Sequence, residues 1–546
     1  MLRITYEKLD VEMADDQRVQ LVQIAVALHE PVTICLQANL REMTGIALSV
    51  LRATKAPVVR AVKSNLRQLR PRFLYEGQVG GVIVIRPVGN HCGEFQWPLW
   101  SVLAGGEYER KKKQNFFHAA YGRVCHNPRE SPAKFGVQRT MKCAILVLLV
   151  ALLAVPAAEG AKRLRDFEKP PHNYWQRAPQ DQFTKIKDAL ESGKLPLDRT
   201  SEKAFVISLL KAIDITPSTQ TLVYSTTSLQ LSRISPRNPR ALYFNEDVYV
   251  GWVPGGQIEI ASIDPALGGI YYIFNVPRGP GQIRVERSTR CFNCHAEFEH
   301  GRVPGLLLKS VVPGPGGGSL ESFRSDTTGH GIPFKDRFGG WHLTGKHGIT
   351  EHWGNMVGTL SPAGLKKFAN PPGKQFRWAT YPVATSDVLA HLLHEHQVGF
   401  VNRAVKATYD TREALQKGGD KTLVEKHARI LVRYVLFADE APLPKGGIEG
   451  DGLLKSYFAK RARKASNGIS LRDLDLNTRL FKHRCSYMIH SAAFAGLPPV
   501  LKQRVFSQLR MAVGSTQLNQ DFAYLPPAEK KAIAQILTET VKGFAQ

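Results

Sequence analysis

Cys291, Phe292, Asn293, Cys294 and His295 constrain this chain more than any other five residues. Two thiols three positions apart, with a histidine directly after the second, have the spacing of a c-type haem attachment site. In that chemistry each thiol adds across a haem vinyl group to form a thioether. The adjacent imidazole, held by the same short turn, becomes the proximal iron ligand. Two other uses of the spacing compete with this one. A thioredoxin-like dithiol wants the pair at the start of a helix in a βαβ unit and does not need the histidine. A structural zinc needs four ligands, and no second C-x-x-C or H-x3-5-H pair lies nearby. The full pattern points to one covalent haem c, with Cys291 and Cys294 as tethers and His295 as axial ligand.

A second signal points to the same compartment. Residues 141–161 begin Met141, Lys142, continue as an unbroken apolar run and end in small residues, the layout of a secretory signal peptide. The apolar stretch 144–155 is about a dozen residues, short of the roughly 20 that span a bilayer as a helix. Membrane contact is therefore expected only if this segment stays uncleaved. An export signal belongs at an N-terminus, so residues 1–140 read as an upstream extension placed before the true start, or as disordered chain. The competing reading is a cytoplasmic domain followed by one transmembrane helix. Haem c is attached outside the bacterial cytoplasm, so motif and signal together predict a periplasmic protein.

Removing 161 residues from 546 leaves 385, enough for two domains. Over the whole chain 73 Lys and Arg stand against 47 Asp and Glu, a net charge of +26. Such a surplus suits an anionic surface or an acidic redox partner, and export disfavours nucleic acid. Of seven cysteines, Cys35, Cys92, Cys125 and Cys143 precede the export cleavage region. If haem takes Cys291 and Cys294, only Cys485 remains, and it reads as a buried small hydrophobe.

Apolar spacing predicts helices at 181–190 and 202–213. Short β-branched and aromatic runs at 222–224, 241–244, 248–253, 258–263 and 270–274, separated by turn residues, predict an antiparallel meander. Beyond 384, helical periodicity covers 387–415, 422–437, 476–495, 501–513 and 528–544. The expected fold class is α+β: a small antiparallel sheet with helices around the haem at 162–370, then a mainly helical domain at 371–546. The Gly- and Pro-rich segment 301–370 is long enough to wrap the haem.

The sixth ligand decides what a haem can do, because a strong side-chain ligand favours electron transfer and an open position admits a small molecule. Met356, His352 and His347 are the distal candidates. His391 and His394 share a helix face in a cluster with Glu395 and His396, but the spacing is not H-E-x-x-H. Arg324, Arg337 and Lys309 are candidate partners for haem propionates. No G-x-S-x-G or other nucleophile motif is present.

Three stretches carry a family resemblance: 195–205, beginning Leu195, Pro196, Leu197, Asp198, Arg199; 235–245, beginning Ser235, Pro236, Arg237, Asn238, Pro239; and 339–355, beginning Gly339, Gly340, Trp341. They resemble a cytochrome c domain-containing family of exported bacterial proteins with a single haem c motif. The likeness covers nearly all of residues 180–510 and none of 1–140. It implies haem binding at Cys291, Cys294 and His295 and no particular substrate. It also implies that His347, His352 and Asn355 belong to the shared pattern and Met356 does not. The expected role is periplasmic electron transfer. The alternatives are a peroxidase-like oxidoreductase with an open distal site, and a haem sensor or structural subunit of a redox complex.

Overall fold

In a computed structural model the chain divides into two compact units, Met1–Ala154 and Val155–Gln546. The structure describes residues 165–545 except 227, 278, 280, 298–300, 323–328, 363 and 515–519. In the first unit it describes four two-residue strands, Ile4–Thr5 paired with Ile34–Cys35 and Arg60–Ala61 paired with Phe73–Leu74. The expected export segment and Arg324 lie outside the described residues. Among the described residues no helix is long and apolar enough to cross a membrane.

The second unit combines an antiparallel sheet with nine described α-helices, the mixed α and β content that the sequence pattern implies. Strands β1 (Thr221–Val223), β2 (Arg240–Phe244), β3 (Val248–Trp252), β4 (Gln257–Asp264) and β5 (Gly268–Asn275) form the expected meander. Two short strands flank it, β6 (Glu286–Arg287) beside β5 and β9 (Trp341–His342) beside β1, giving the order β6-β5-β4-β3-β2-β1-β9. Two further hairpins, β7 (Val311–Pro313) with β8 (Ser319–Ser322) and β10 (Met356–Ser361) with β11 (Gly364–Ala369), give the 301–370 segment more regular structure than its composition suggests.

Because successive strand residues point to opposite faces, the sheet sorts its side chains into two sets. Ala241, Tyr243, Val248, Val250, Trp252, Ile258, Ile260, Ile270, Tyr272 and Phe274 pack in one core with Phe183 and Leu190 of α1 (Gln182–Glu191) and Phe205, Val206, Leu209 and Leu210 of α2 (Glu202–Ala212). Asp181 and Ser201 cap these helices by accepting from backbone N–H groups of their first turns. The alternate residues Arg240, Leu242, Phe244, Tyr249, Gly251, Glu259, Ala261 and Tyr271 face the other way, and it is this face that floors the cleft described below.

Over the second face lies α4 (Val388–Gln416), capped by Asp387 and buried around most of its circumference. A helix buried all round must find partners for each polar group it carries. Helices α5 (Lys421–Val435), α6 (Gly452–Lys460), α8 (Pro499–Gly514) and α9 (Pro527–Thr540) complete the helical part. One core cluster joins Phe244, Tyr249 and Ile263 of the sheet to Leu389, Leu393 and Val401 of α4 and on to α8 and α9. Sheet and helices thus share a core across residue 370.

The periodicity at 476–495 does not produce a helix of that length. The Asp475 carboxylate accepts from the Asn477 and Thr478 N–H groups at 2.8 and 3.2 Å, and Leu476 takes a left-handed φ of 65°. Ser486 and Ser491 then cap a short 3₁₀ turn, Tyr487–His490, and α7 (Ala492–Ala495). Short polar side chains that capture nearby amides compete with helix hydrogen bonds, and here they win. Cys485 is fully buried, as expected of a small hydrophobe, and burial pushes its thiol far up from the ordinary range.

Candidate functional site

The pentapeptide forms one helical turn, α3 (Phe292–His295), entered from Cys291 in the right-handed helical region. The Cys294 and His295 N–H groups both donate to the Cys291 carbonyl, at 3.1 and 2.9 Å. Positions three and four apart lie on one face of a helix, so both thiols and the imidazole point the same way. The intervening Phe292 anchors the turn among aromatic rings, 4.7 Å from Tyr174, 4.8 Å from Trp175 and 5.1 Å from Phe167 by ring centroid.

His295 is oriented by its surroundings. Its Nδ1 lies 2.9 Å from the Gly305 carbonyl, and since a carbonyl only accepts, Nδ1 carries the proton. In a neutral imidazole that leaves the lone pair on Nε2, the arrangement typical of a metal-ligating histidine. The Gly305 N–H returns a bond to the His295 carbonyl at 2.9 Å, and the Tyr271 hydroxyl donates to the same Gly305 carbonyl at 2.6 Å. The Tyr271 ring also packs 4.5 Å from the imidazole. Asn402 of α4 clamps the next residue, accepting from Leu306 N–H at 2.7 Å and donating to the Leu306 carbonyl at 2.9 Å.

Cys291, Cys294 and His295 all line one cleft, whose enclosed space is about 90 Å³ and which opens to solvent. Its walls are largely apolar and aromatic, with Leu242, Tyr249, Leu306 and Trp341 among them, the character of a small-molecule or cofactor site. These residues fit a covalent haem. Among the described residues Cys291, Cys294 and Cys485 form no disulfide. Burial raises the Cys291 thiol above its ordinary value, the reverse of the lowered thiol that a dithiol redox centre uses. Among the described residues no group of three or more His, Cys, Asp or Glu side chains is set to hold a metal ion. A haem iron differs from zinc in bringing four nitrogens of its own and asking the protein only for axial ligands.

The expected distal residues are placed elsewhere: Met356, His352 and His347 do not line the cleft. Met356 opens β10, its backbone N–H and carbonyl both bonded to the Tyr224 hydroxyl at 2.8 and 2.7 Å. His347 and His352 pack against each other, ring centroids 5.4 Å apart, and His352 also meets Phe338. Of the expected propionate partners, Lys309 lines the cleft. Arg337 does not; it is buried, 3.4 Å from Glu395 and donating to the carbonyls of Ile332 and His330 at 2.6 and 2.7 Å.

Three residues that were not among the expected haem partners also reach the cleft. His394 of α4 lines it opposite the sheet, stacked on Phe244 at 5.0 Å and Tyr249 at 5.8 Å. Arg240 and Glu259 lie in its floor as an ion pair at 2.5 Å, side chains only 15% and 12% exposed. Strand register explains the pair: Gly251 sits between Leu242 of β2 and Glu259 of β4, and the Arg240 guanidinium lies across it. A Cβ at Gly251 would overlap that guanidinium, whose far end is flexible. Gly251→Ala is therefore expected to fold yet to part Arg240 from Glu259. In a double-mutant cycle the coupling of the pair, of order 1 kcal/mol, should fall to near zero in the Gly251→Ala background. An unchanged coupling would refute the role of Gly251.

No protein-family model, curated protein or solved structure matches this chain.

Proposed function

We propose that this chain is an exported protein that binds one haem c through Cys291, Cys294 and His295 and works in periplasmic electron transfer. The observation that carries the reading is His295, held in the wall of an apolar cleft beside both cysteines with Nδ1 donating to the Gly305 carbonyl, so that Nε2 bears the lone pair. A bound haem c would supply one-electron redox chemistry at its iron. The protein's part would be to tether, orient and insulate: Cys291 and Cys294 would anchor the haem, His295 would ligate it, and Leu306, Trp341 and Tyr249 would exclude water. Cys294 is solvent-exposed, which sets one tether at the cleft mouth and suits electron exchange with a partner there. The basic surplus of the chain favours an acidic partner. The family resemblance carried by residues 195–205, 235–245 and 339–355 agrees with this reading.

A second reading, a peroxidase-like oxidoreductase, is favoured by one observation, the presence of His394 and Arg240 in the same cleft. It requires an open distal position.

The test is expression from Met141 with the cytochrome c maturation machinery. Haem is expected to stay with the polypeptide through denaturing electrophoresis, and the Cys291→Ala, Cys294→Ala double variant should lose it. Absence of covalent haem in the unaltered chain would sink the reading. A ferrous spectrum indifferent to carbon monoxide supports the electron carrier, and a carbon monoxide shift supports the oxidoreductase.

A further inference from the structure

We propose that His394 is the sixth iron ligand, closing the site from α4 opposite His295, an assignment that rests on the haem c reading above. The fates of the cluster around it single His394 out. His391 Nε2 donates to the His342 carbonyl at 2.9 Å and meets Ser386 Oγ at 3.0 Å. Glu395 pairs with Arg337. His396 bonds Ser486 Oγ through Nε2 at 2.7 Å and His330 through Nδ1 at 2.9 Å. His394 alone of the four forms no hydrogen bond among the described residues, although it is only 5% exposed and its Nδ1 is completely buried. A buried polar group left unpaired costs about 1–3 kcal/mol, a cost that ligation through Nδ1 would offset.

The sheet register places the two imidazoles on either side of one slot. Tyr271, Ala261 and Tyr249 are direct cross-strand partners on β5, β4 and β3 and so share a face. His295 packs on Tyr271 and His394 on Tyr249, two strands apart, or roughly 10 Å at about 4.8 Å per strand. Between the two tyrosines stands Ala261, the small side chain that leaves the slot unfilled. The His394 ring is fixed by Phe244 lying parallel to it within 18° and by Trp341 edge-on at 6.2 Å. The α4 backbone is pinned over β3 one turn later, where the Tyr249 hydroxyl donates to Gln397 Oε1 at 3.1 Å.

The experiment compares covalently loaded protein with its His394→Ala and His394→Met variants by absorption and electron paramagnetic resonance, with a haem stain on denaturing gels alongside. The unaltered protein is expected to be low-spin and indifferent to carbon monoxide. His394→Ala should become high-spin, bind carbon monoxide when reduced, and return to low spin when imidazole is added. His394→Met, close in volume, should stay low-spin with a raised reduction potential, since thioether in place of imidazole raises it. A high-spin unaltered protein, or a His394→Ala spectrum identical to the parent, overturns the ligand assignment while leaving the haem c reading intact. Absence of covalent haem in the parent overturns both.

Discussion

Acidifying the protein from pH 6.5 to 4.5 is expected to remove roughly 5 kcal/mol of folding stability. The cause is a set of histidines buried neutral. Burial pushes His342 and His396 down to about 3 and His391 to about 4, and His330 well below its ordinary value, with His396 adding to the effect on His330. Each is depressed in the folded state, so its contribution is complete above the unfolded value near 6.5 and is lost as pH falls toward the folded one. Two carboxyls oppose them: burial raises Asp247 to about 6 and Glu440 to about 7, and such groups favour the folded state increasingly as pH falls. His394 and His490 are lowered in the same way, so the buried imidazoles outnumber the two carboxyls and unfolding takes up at least two protons net, upwards of about 3 kcal/mol per pH unit near pH 5. Urea midpoints at pH 7, 6 and 5 measure it. His391→Asn, which retains a donor for the His342 carbonyl but cannot titrate in this range, should flatten the slope by about 1 kcal/mol per pH unit. A midpoint that does not move with pH would refute the assignment of neutral buried histidines.

Asn402→Ala is expected to lower stability and, at the same time, to disturb the proposed haem ligand His295. The side-chain amide satisfies both backbone groups of Leu306, itself 4% exposed. Truncation strands a buried donor and a buried acceptor, at a cost of about 2–4 kcal/mol. Asn402→Gln should be nearly as harmful, because the extra methylene carries the amide out of register. The consequence at the site is as specific as the loss of stability. Leu306 adjoins Gly305, whose carbonyl holds His295 Nδ1, so the imidazole loses its fixed orientation while the proposed thioethers at Cys291 and Cys294 would persist. The measurement is a urea midpoint paired with the reduction potential of the proposed covalent haem. A lowered midpoint with an unchanged potential would separate stability from control of the ligand.

Much of the architecture was legible because it depends on local pattern. The alternation in 241–244, 248–253 and 258–263 yields strands since a two-residue period can bury only one set of side chains on each face. The residues of α1, α2, α4 and α5 announce themselves by three and four spacing and by their capping aspartates and serine. The failed helix at 476–495 shows the limit: its apolar spacing was helical, but Asp475, Ser486 and Ser491 redirected the backbone through side-chain bonds that periodicity ignores. The strands β6 and β9 are too short to carry a pattern and exist because the edges of the sheet were there to pair with.

The same division runs through the site. Cys291, Cys294 and His295 could be read from five adjacent residues because one helical turn, a local structure, places all three on one side. Local sequence also made His295, beside two thiols, the candidate ligand. Which side chain faces it was never a local matter. Met356, His347 and His352 lie close in sequence beyond the motif, yet chain proximity gave no access to the cleft. His394 stands 99 residues after His295 and reaches the same space because α4 packs on the sheet face that carries Tyr249 and Phe244. Arg240 and Glu259 became a pair only because strand register laid them on either side of a glycine. Sequence by itself determined the chemistry that a single turn can hold; tertiary packing decided what stands opposite it, because burial, register and helix docking are set by contacts between residues far apart in the chain.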